Sequence, residues 1–85
     1  MTFEQLQCFI ASVEEKTFLD AAHSLYISQS SLSKQIMKLE QELGVMLWDR
    51  SRRKAGLTEA GNIFYQDALI LLKQYSQSRN RLDRF

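Results

Sequence analysis

The sequence has no proline, three glycines and one cysteine among its 85 residues. Because proline is the residue that most strongly interrupts a helix, its absence favours long helices joined by short connections. Cys8 cannot form a disulfide within the chain, and Cys8 and the single histidine, His23, cannot by themselves supply the ligands of a metal site. We therefore expect no disulfide framework, no metal ion and no cofactor.

Long apolar runs are also missing. The longest nearly apolar segment, residues 68–72, is far too short to span a bilayer, and the first residues lack the pattern of a signal peptide. With 45% apolar and 25% charged residues, the composition is that of a folded globular domain. We expect a soluble, cytoplasmic protein with no membrane partner.

The residue patterns of common enzyme sites are absent as well. The sequence contains no glycine-rich phosphate loop, no Cys–His nucleophile pair and no recognisable pair of catalytic carboxylates. His23 stands in a segment of small residues, without the partners that catalysis would need. We therefore expect a protein that is not an enzyme.

The charge is small overall but unevenly distributed. The formal net charge is +1, yet residues 1–27 carry −3, residues 28–57 carry +3 and residues 58–85 carry +1. A basic middle segment after an acidic first segment indicates that one face of the domain is directed at a polyanion.

Apolar spacing predicts two helices in the first third of the chain. A stripe at the i, i+3, i+4, i+7 positions, formed by Leu6, Phe9, Ile10 and Val13, predicts a first helix over about 3–15. Thr2 is a suitable N-cap for it. Thr17 is the N-cap of a shorter second helix, about 18–25, with Asp20 at the position where a capping box has its acidic residue.

A third helix follows almost at once. Ser28 is a suitable N-cap, and Gly44 is suited to the left-handed residue that ends a helix, so the helix runs over about 29–43. Its inward face is predicted to consist of Leu32, Ile36, Leu39 and Leu43. Its outward face is then Ser30, Ser33, Lys34, Met37, Lys38 and Gln41.

The remaining chain predicts a small hairpin and a fourth helix. Segments 45–48 and 54–57 indicate a two-stranded ribbon whose basic tip covers 49–54, with an irregular loop as the alternative. Thr58 caps the fourth helix, which has no proline to end it before residue 85.

The order of three helices, a two-stranded wing and a long fourth helix predicts a mainly α fold, a winged helix-turn-helix domain followed by a linker helix. In that geometry the second helix of the pair lies in the major groove and presents its N-terminal residues to base edges. Small hydroxyl and amide side chains at that end permit close approach, and the unpaired N–H groups of the first turn attract phosphate. The basic tip suits phosphate contact too. The alternatives are a solvated helix face and a solvated loop tip.

Two motifs resemble the DNA-binding domain of the LysR-type transcriptional regulators. They are "F-x-x-A-A-x-x-L-x-I-S-Q-S-S-L-S-K-Q-I-x-x-L-E-x-E-L-G-V", which begins at Phe18, and "L-T-E-A-G", which begins at Leu57. The resemblance covers nearly the whole chain. It implies a winged DNA-binding domain over 1–57, a linker and dimerisation helix over 58–85, and a separate C-terminal effector-binding domain that these 85 residues lack.

The resemblance also implies partners and contact residues. The partners are double-stranded DNA with inverted-repeat half-sites and a second copy of the chain, with linker helices packed antiparallel; a higher oligomer is an option for the full-length protein. Base or groove contacts are expected from Gln29, Ser30, Ser33 and Lys34. Phosphate or wing contacts are expected from Thr17, Ser28, Ser31, Lys38, Arg50, Arg52, Arg53 and Lys54.

Two of these positions depart from the usual family pattern. Ser30 stands where proline is common, and its hydroxyl adds a donor and an acceptor near the bases. Lys34 stands where arginine is common, and lysine lacks the two-pronged fork that fits guanine, which shifts its expected role toward phosphate.

The fourth helix is apolar on more than one side, which indicates two packing partners. One is the body of the domain, and the other is the same helix of a second copy. The predicted dimer interface consists of Ala60, Phe64, Ala68, Leu71, Leu72 and Tyr75. In one alternative the extra leucines pack on the C-terminal domain; in another the chain is a helical protein-interaction adaptor that does not bind DNA.

Overall fold

The computed structural model describes residues 1–51 and 56–85. In chain order the elements are α1 (Phe3–Glu14), α2 (Phe18–Ser24), α3 (Gln29–Leu43), β1 (Trp48–Asp49), β2 (Gly56–Leu57) and α4 (Glu59–Leu82). The mainly α, winged helix-turn-helix class predicted from the sequence is confirmed. The bounds of α3 are those predicted, α1 and α2 each end one residue early, and each strand spans two residues.

A hydroxyl side chain caps the start of each of these helices. The side-chain oxygens of Thr2, Thr17, Ser28 and Thr58 each accept a hydrogen bond from the backbone N–H three residues on. At Thr2 the Gln5 side chain accepts in return from the Thr2 N–H at 3.1 Å, which completes a capping box. The four N-caps predicted from the sequence are confirmed.

The core lies where α1, α2 and α3 meet. Phe9 of α1 and the Leu32, Ile36 and Leu39 ridge of α3 are fully buried. The prediction that Leu43 is also buried is wrong, because this side chain is 37% exposed in the last turn of α3. The fourth buried position of the helix is held by a carboxylate, Glu40.

The turn between α2 and α3 is a Schellman motif. The N–H of Tyr26 donates to the His23 carbonyl and the N–H of Ile27 donates to the Ala22 carbonyl, both at 3.1 Å. This pattern requires a left-handed residue at the first position after the cap, and Tyr26 has φ 58°. The turn therefore closes within four residues and fixes the angle at which α3 leaves α2.

The two strands form the base of the wing. They are antiparallel, with Trp48 opposite Leu57 and Asp49 opposite Gly56. Trp48 is held from two sides: its indole N–H donates to the buried Ser12 hydroxyl at 3.0 Å, and its ring packs edge-on against Phe18 at 5.2 Å between centroids. The base of the wing is thus part of the core.

One side of α4 packs on the domain body. Ala68 is fully buried, Phe64 lies 5.6 Å from Phe9 between ring centroids, and Leu72 packs against the core. Ala68, Phe64 and Leu72, which the sequence predicted for the dimer interface, therefore lie on a side that the body of the same chain already covers. An α-helix turns about 100° per residue, so an apolar stripe extended from Phe64 through Ala68 follows the body-facing side.

The opposite side of α4 is open. Ile63 and Ile70 are 61% and 66% exposed and lie roughly 140–160° around the helix from Ala68. Leu71 and Tyr75, two of the predicted interface residues, are partly exposed, and the Tyr75 ring packs on the domain body, 4.3 Å from the Phe3 ring between centroids. Ala60 is half-buried near the start of the helix.

Candidate nucleic-acid interface

The start of α3 carries a connected group of serine hydroxyls. The Ser28 Oγ accepts from the Ser31 N–H at 3.1 Å, donates to the Ser31 Oγ at 2.9 Å and lies 3.1 Å from the Ser30 Oγ. A hydroxyl has one hydrogen to donate, so the Ser30 hydroxyl donates to Ser28 in this arrangement. Ser30 then presents lone pairs outward, while Ser31 keeps its hydrogen for an outside acceptor.

The reading face predicted on α3 is exposed except at one position. Gln29, Ser30, Lys34 and Lys38 are exposed, and Ser33 is half-buried. Ser30, Lys34 and Lys38 lie on the side of the helix away from the buried leucine and isoleucine ridge, Ser33 lies at the flank of that side, and Gln29 is exposed at the first position of the helix, before the ridge begins. The face therefore runs from an amide and small hydroxyls at the helix start to ammonium groups one and two turns on.

The predicted phosphate contacts at helix starts are also hydrogen-bond caps. Thr17 is exposed, and its Oγ1 accepts from the Asp20 N–H at 3.0 Å, which leaves the hydroxyl hydrogen to donate outward. Ser28 uses its oxygen and its hydrogen within the serine group. Ser28 thus organises the helix start, and Ser31 holds the outward hydrogen.

Arg50 is tied to α3 at the base of the wing. Its Nη1 lies 3.0 Å and 3.3 Å from the two carboxylate oxygens of Glu40, and its side chain stays 35% exposed. The ion pair observed for Arg50 is thus with Glu40 of α3. Arg52, Arg53 and Lys54, the other predicted wing contacts, lie outside the described residues.

Glu40, whose role was not predicted from the sequence, is buried at the junction of α3 and the wing. It is 4% exposed and accepts hydrogen bonds from the Leu47 N–H at 2.7 Å, from the Trp48 N–H at 3.2 Å and from Arg50. One signal could have found it: Glu40 stands four residues after Ile36, on the inward side of a helix whose other inward residues are apolar. A buried carboxylate of this kind needs several donors, and the chain after Gly44 supplies them.

Two titratable side chains, Cys8 and Tyr65, have pKa values raised by their surroundings in the fold. Burial, with Glu4 nearby, raises the pKa of the Cys8 thiol to about 11, so the thiol is protonated and unreactive at neutral pH. The hydrogen bond that the Tyr65 phenol donates to Glu14, at 2.7 Å, raises the pKa of Tyr65.

Within residues 1–51 and 56–85 no group of three His, Cys, Asp or Glu side chains could hold a metal ion. No helix in these ranges has the length and apolar character of a membrane span.

The fold and this exposed face together define a class of protein. A short helix, a tight turn, a longer helix with a polar exposed start and a two-stranded wing constitute a winged helix-turn-helix, the architecture of DNA-binding regulators rather than of enzymes. Residues 3–62 match the family described as "Bacterial regulatory helix-turn-helix protein, lysR family". The chain belongs to the LysR family, which confirms the resemblance seen in its motifs.

Curated relatives are regulators much longer than this chain. A "Probable RuBisCO transcriptional regulator" of Cyanidioschyzon merolae is 54% identical over 71 residues, which are 84% of this chain and 23% of that protein. The "HTH-type transcriptional regulator ClcR" of Pseudomonas putida is 47% identical over 81 residues, 95% of this chain and 28% of the other. This chain thus spans about a quarter of the length of the relatives it matches.

Solved structures of similar domains include DNA complexes. The chain is similar to the protein of the BenM_DBD/catB site 1 DNA complex, with a TM-score of 0.91, 42% identity, and coverage of 99% of this chain and 94% of the other. It is also similar to the protein of the CbnR_DBD-DNA complex, with a TM-score of 0.88, 41% identity, and coverage of 95% and 93%.

Proposed function

We propose that this chain is the DNA-binding part of a LysR-type transcriptional regulator that binds a duplex with inverted-repeat half-sites. α3 lies in the major groove, with Gln29, Ser30, Ser33 and Lys34 at or near base edges. Thr17, Ser31 and Lys38 contact flanking phosphates, and the wing over 49–54 meets the backbone or the minor groove.

One observation carries this proposal: the exposed polar start of α3 lies opposite a fully buried apolar ridge. The burial of Leu32, Ile36 and Leu39 fixes the rotation of the helix, so its hydroxyl, amide and lysine side must face outward. A protein-interaction adaptor has no use for a polar helix start set beside a wing that Glu40 ties to the same helix.

The arrangement of domains belongs to the same proposal. Residues 1–57 form the winged DNA-binding domain, and residues 58–85 form a linker helix whose open side meets the same helix of a second copy. In the longer regulator an effector-binding domain follows, a higher oligomer can form, and the protein acts in the cytoplasm. The similar proteins solved with DNA, and relatives about four times longer, support this arrangement.

The test is to select bound sites from a random duplex pool at a fixed salt concentration and to measure the affinity of the selected duplex against salt. We expect an inverted repeat to be enriched. Lys38→Ala should lower the slope of log affinity against log salt by about 0.9, because one fewer phosphate is neutralised. Arg79→Ala is the control: this exposed cation near the end of α4 lies on the side away from Ile63 and Ile70, and its removal should leave the slope unchanged.

Failure to enrich any duplex would contradict DNA binding and favour the adaptor. Enrichment of a site without two-fold symmetry would contradict the dimeric arrangement alone. An unchanged slope for Lys38→Ala would remove Lys38 from the phosphate contacts.

A further inference from the structure

Tyr26 occupies a backbone position that a tyrosine rarely adopts. It is the left-handed residue of the Schellman motif after α2, with φ 58°, and glycine or asparagine is the usual occupant of such a position. The left-handed region brings the Cβ of any other residue close to a carbonyl oxygen, and a bulky residue there is an outlier. Tyr26 therefore strains the backbone of this turn.

The side chain gains almost nothing from the domain in return. Tyr26 is 95% exposed, so its ring packs on very little of the protein. A strained position filled by a large exposed aromatic residue has no explanation in the stability of this fold. Such outliers cluster at functional sites, among them the sites that bind ligands.

The location of Tyr26 indicates what that interaction is. It stands two residues before Ser28, so its Cα lies within about 7.6 Å of the Cα of the residue that caps the reading helix. The backbone on both sides is fixed by the hydrogen bonds of Tyr26 to His23 and of Ile27 to Ala22. The exposed ring is therefore attached to a hydrogen-bonded turn whose backbone adjoins the start of the proposed DNA face.

We propose that Tyr26 is a further DNA contact, whose phenol O–H donates a hydrogen bond to a backbone phosphate flanking the bases read by α3. The inference rests on the proposed function and adds a residue to the same interface. A neutral donor displaces no counterion, so this contact strengthens binding without adding to its salt dependence. In this it differs from Lys38.

Two substitutions separate the hydroxyl from the backbone strain. Tyr26→Phe keeps the ring and the strain, and we expect it to lose about tenfold in affinity for the selected duplex with an unchanged salt slope and an unchanged melting temperature. Tyr26→Asn suits the left-handed position, and we expect it to lose at least as much affinity while the melting temperature rises by about 4 °C. A variant that is more stable and binds DNA less tightly cannot be explained by damage to the fold.

The outcomes are distinguishable from failure of the proposed function. If the unmodified chain binds no duplex, the proposed function fails and this inference fails with it. If the unmodified chain binds and Tyr26→Phe binds equally well, the inference alone is overturned. A melting temperature that falls in Tyr26→Asn would refute the argument from strain, and a reduced salt slope in Tyr26→Phe would contradict a neutral contact.

Discussion

Glu40 is the side chain that links α3 to the base of the wing. Its carboxylate accepts from two backbone N–H groups, those of Leu47 and Trp48, and from the Arg50 guanidinium. It therefore joins the last turns of α3 to the segment that becomes β1. Since Arg50 is bound here, the Glu40–Arg50 pair sets the position of the wing relative to the reading helix.

Glu40→Gln should lower the free energy of unfolding by about 2 kcal/mol. The amide keeps one acceptor oxygen, but its NH₂ group faces donors and the charge partner of Arg50 is lost. Chemical denaturation followed by tryptophan fluorescence measures the change, since Trp48 lies at this junction. Glu42→Gln, two residues on and exposed, is the control and should cost at most about 1 kcal/mol. Equal losses in the two variants would show that Glu40 has no special role.

At the level of elements, the contact between α4 and the wing segment depends on Gly61. A Cβ at this position would lie 2.1 Å from the carbonyl oxygen of Leu47, which is far inside van der Waals contact with a backbone atom. Thr58 strengthens the same junction: its N–H donates to the Leu47 carbonyl at 3.0 Å and its hydroxyl donates to the Met46 carbonyl at 2.6 Å. The "L-T-E-A-G" motif is thus the joint between wing and linker helix.

Gly61→Ala should destabilise the domain by about 2 kcal/mol or more. Alanine is the better helix former by about 1 kcal/mol, so a net loss would isolate the steric effect at Leu47. The melting temperature in a calorimetric scan is the measurement. Gly56→Ala is the control, because a Cβ there meets no atom within 4 Å, and its melting temperature should change little. A stabilised Gly61→Ala would mean that α4 shifts freely away from the wing segment.

At the scale of the whole molecule, α4 divides its two sides between the domain body and solvent. Ala68 is fully buried against the body, while Ile63 and Ile70 stand exposed on the other side, seven residues apart. Two isoleucines spaced by a heptad form a narrow apolar seam of the kind that pairs with another helix. In the proposed dimer this seam, with Leu71 at its edge, replaces the interface predicted around Ala68.

Ile70→Glu, and more strongly Ile63→Glu with Ile70→Glu, should convert the dimer to a monomer. Two carboxylates from each chain would be buried unpaired in the helix pair, so we expect the dissociation constant to rise by at least 100-fold. Sedimentation velocity over a range of concentrations measures this. Ser76→Glu adds the same side chain to α4 about 120° around the helix from Ile70, and it should leave dimerisation intact. An unaffected double variant would place the interface elsewhere.

Local sequence signals predicted the elements well. The hydroxyl caps at Thr2, Thr17, Ser28 and Thr58 and the left-handed Gly44 depend on residues within one turn of each helix end, so the boundaries could be read directly. The exposed start of α3 could be predicted from the spacing of Leu32, Ile36 and Leu39, because this buried ridge leaves one side of the helix for the serines and lysines.

The sequence-based predictions were less successful on whether a given side chain of a helix faces the core or solvent. Periodicity placed Leu43 inside and gave Glu40 no role, yet the chain after Gly44 buries the carboxylate and leaves the leucine partly exposed. On α4, apolar residues on several sides predicted two partners without showing which side met which partner. The burial of Ala68 and the packing of Phe64 on Phe9 show which side meets the domain body.

The helix starts, the polar character of the reading face and the family resemblance could be predicted from the amino-acid sequence, because they depend on short-range hydrogen bonds, residue type and spacing. Only the tertiary structure decided that Glu40 ties the wing to α3, that Gly61 allows α4 to approach Leu47 and that Ile63 and Ile70 remain open. Each of these depends on atoms that are brought together across the fold: spacing along α3 places Glu40 on the inward side, but it does not show which donors the carboxylate meets there.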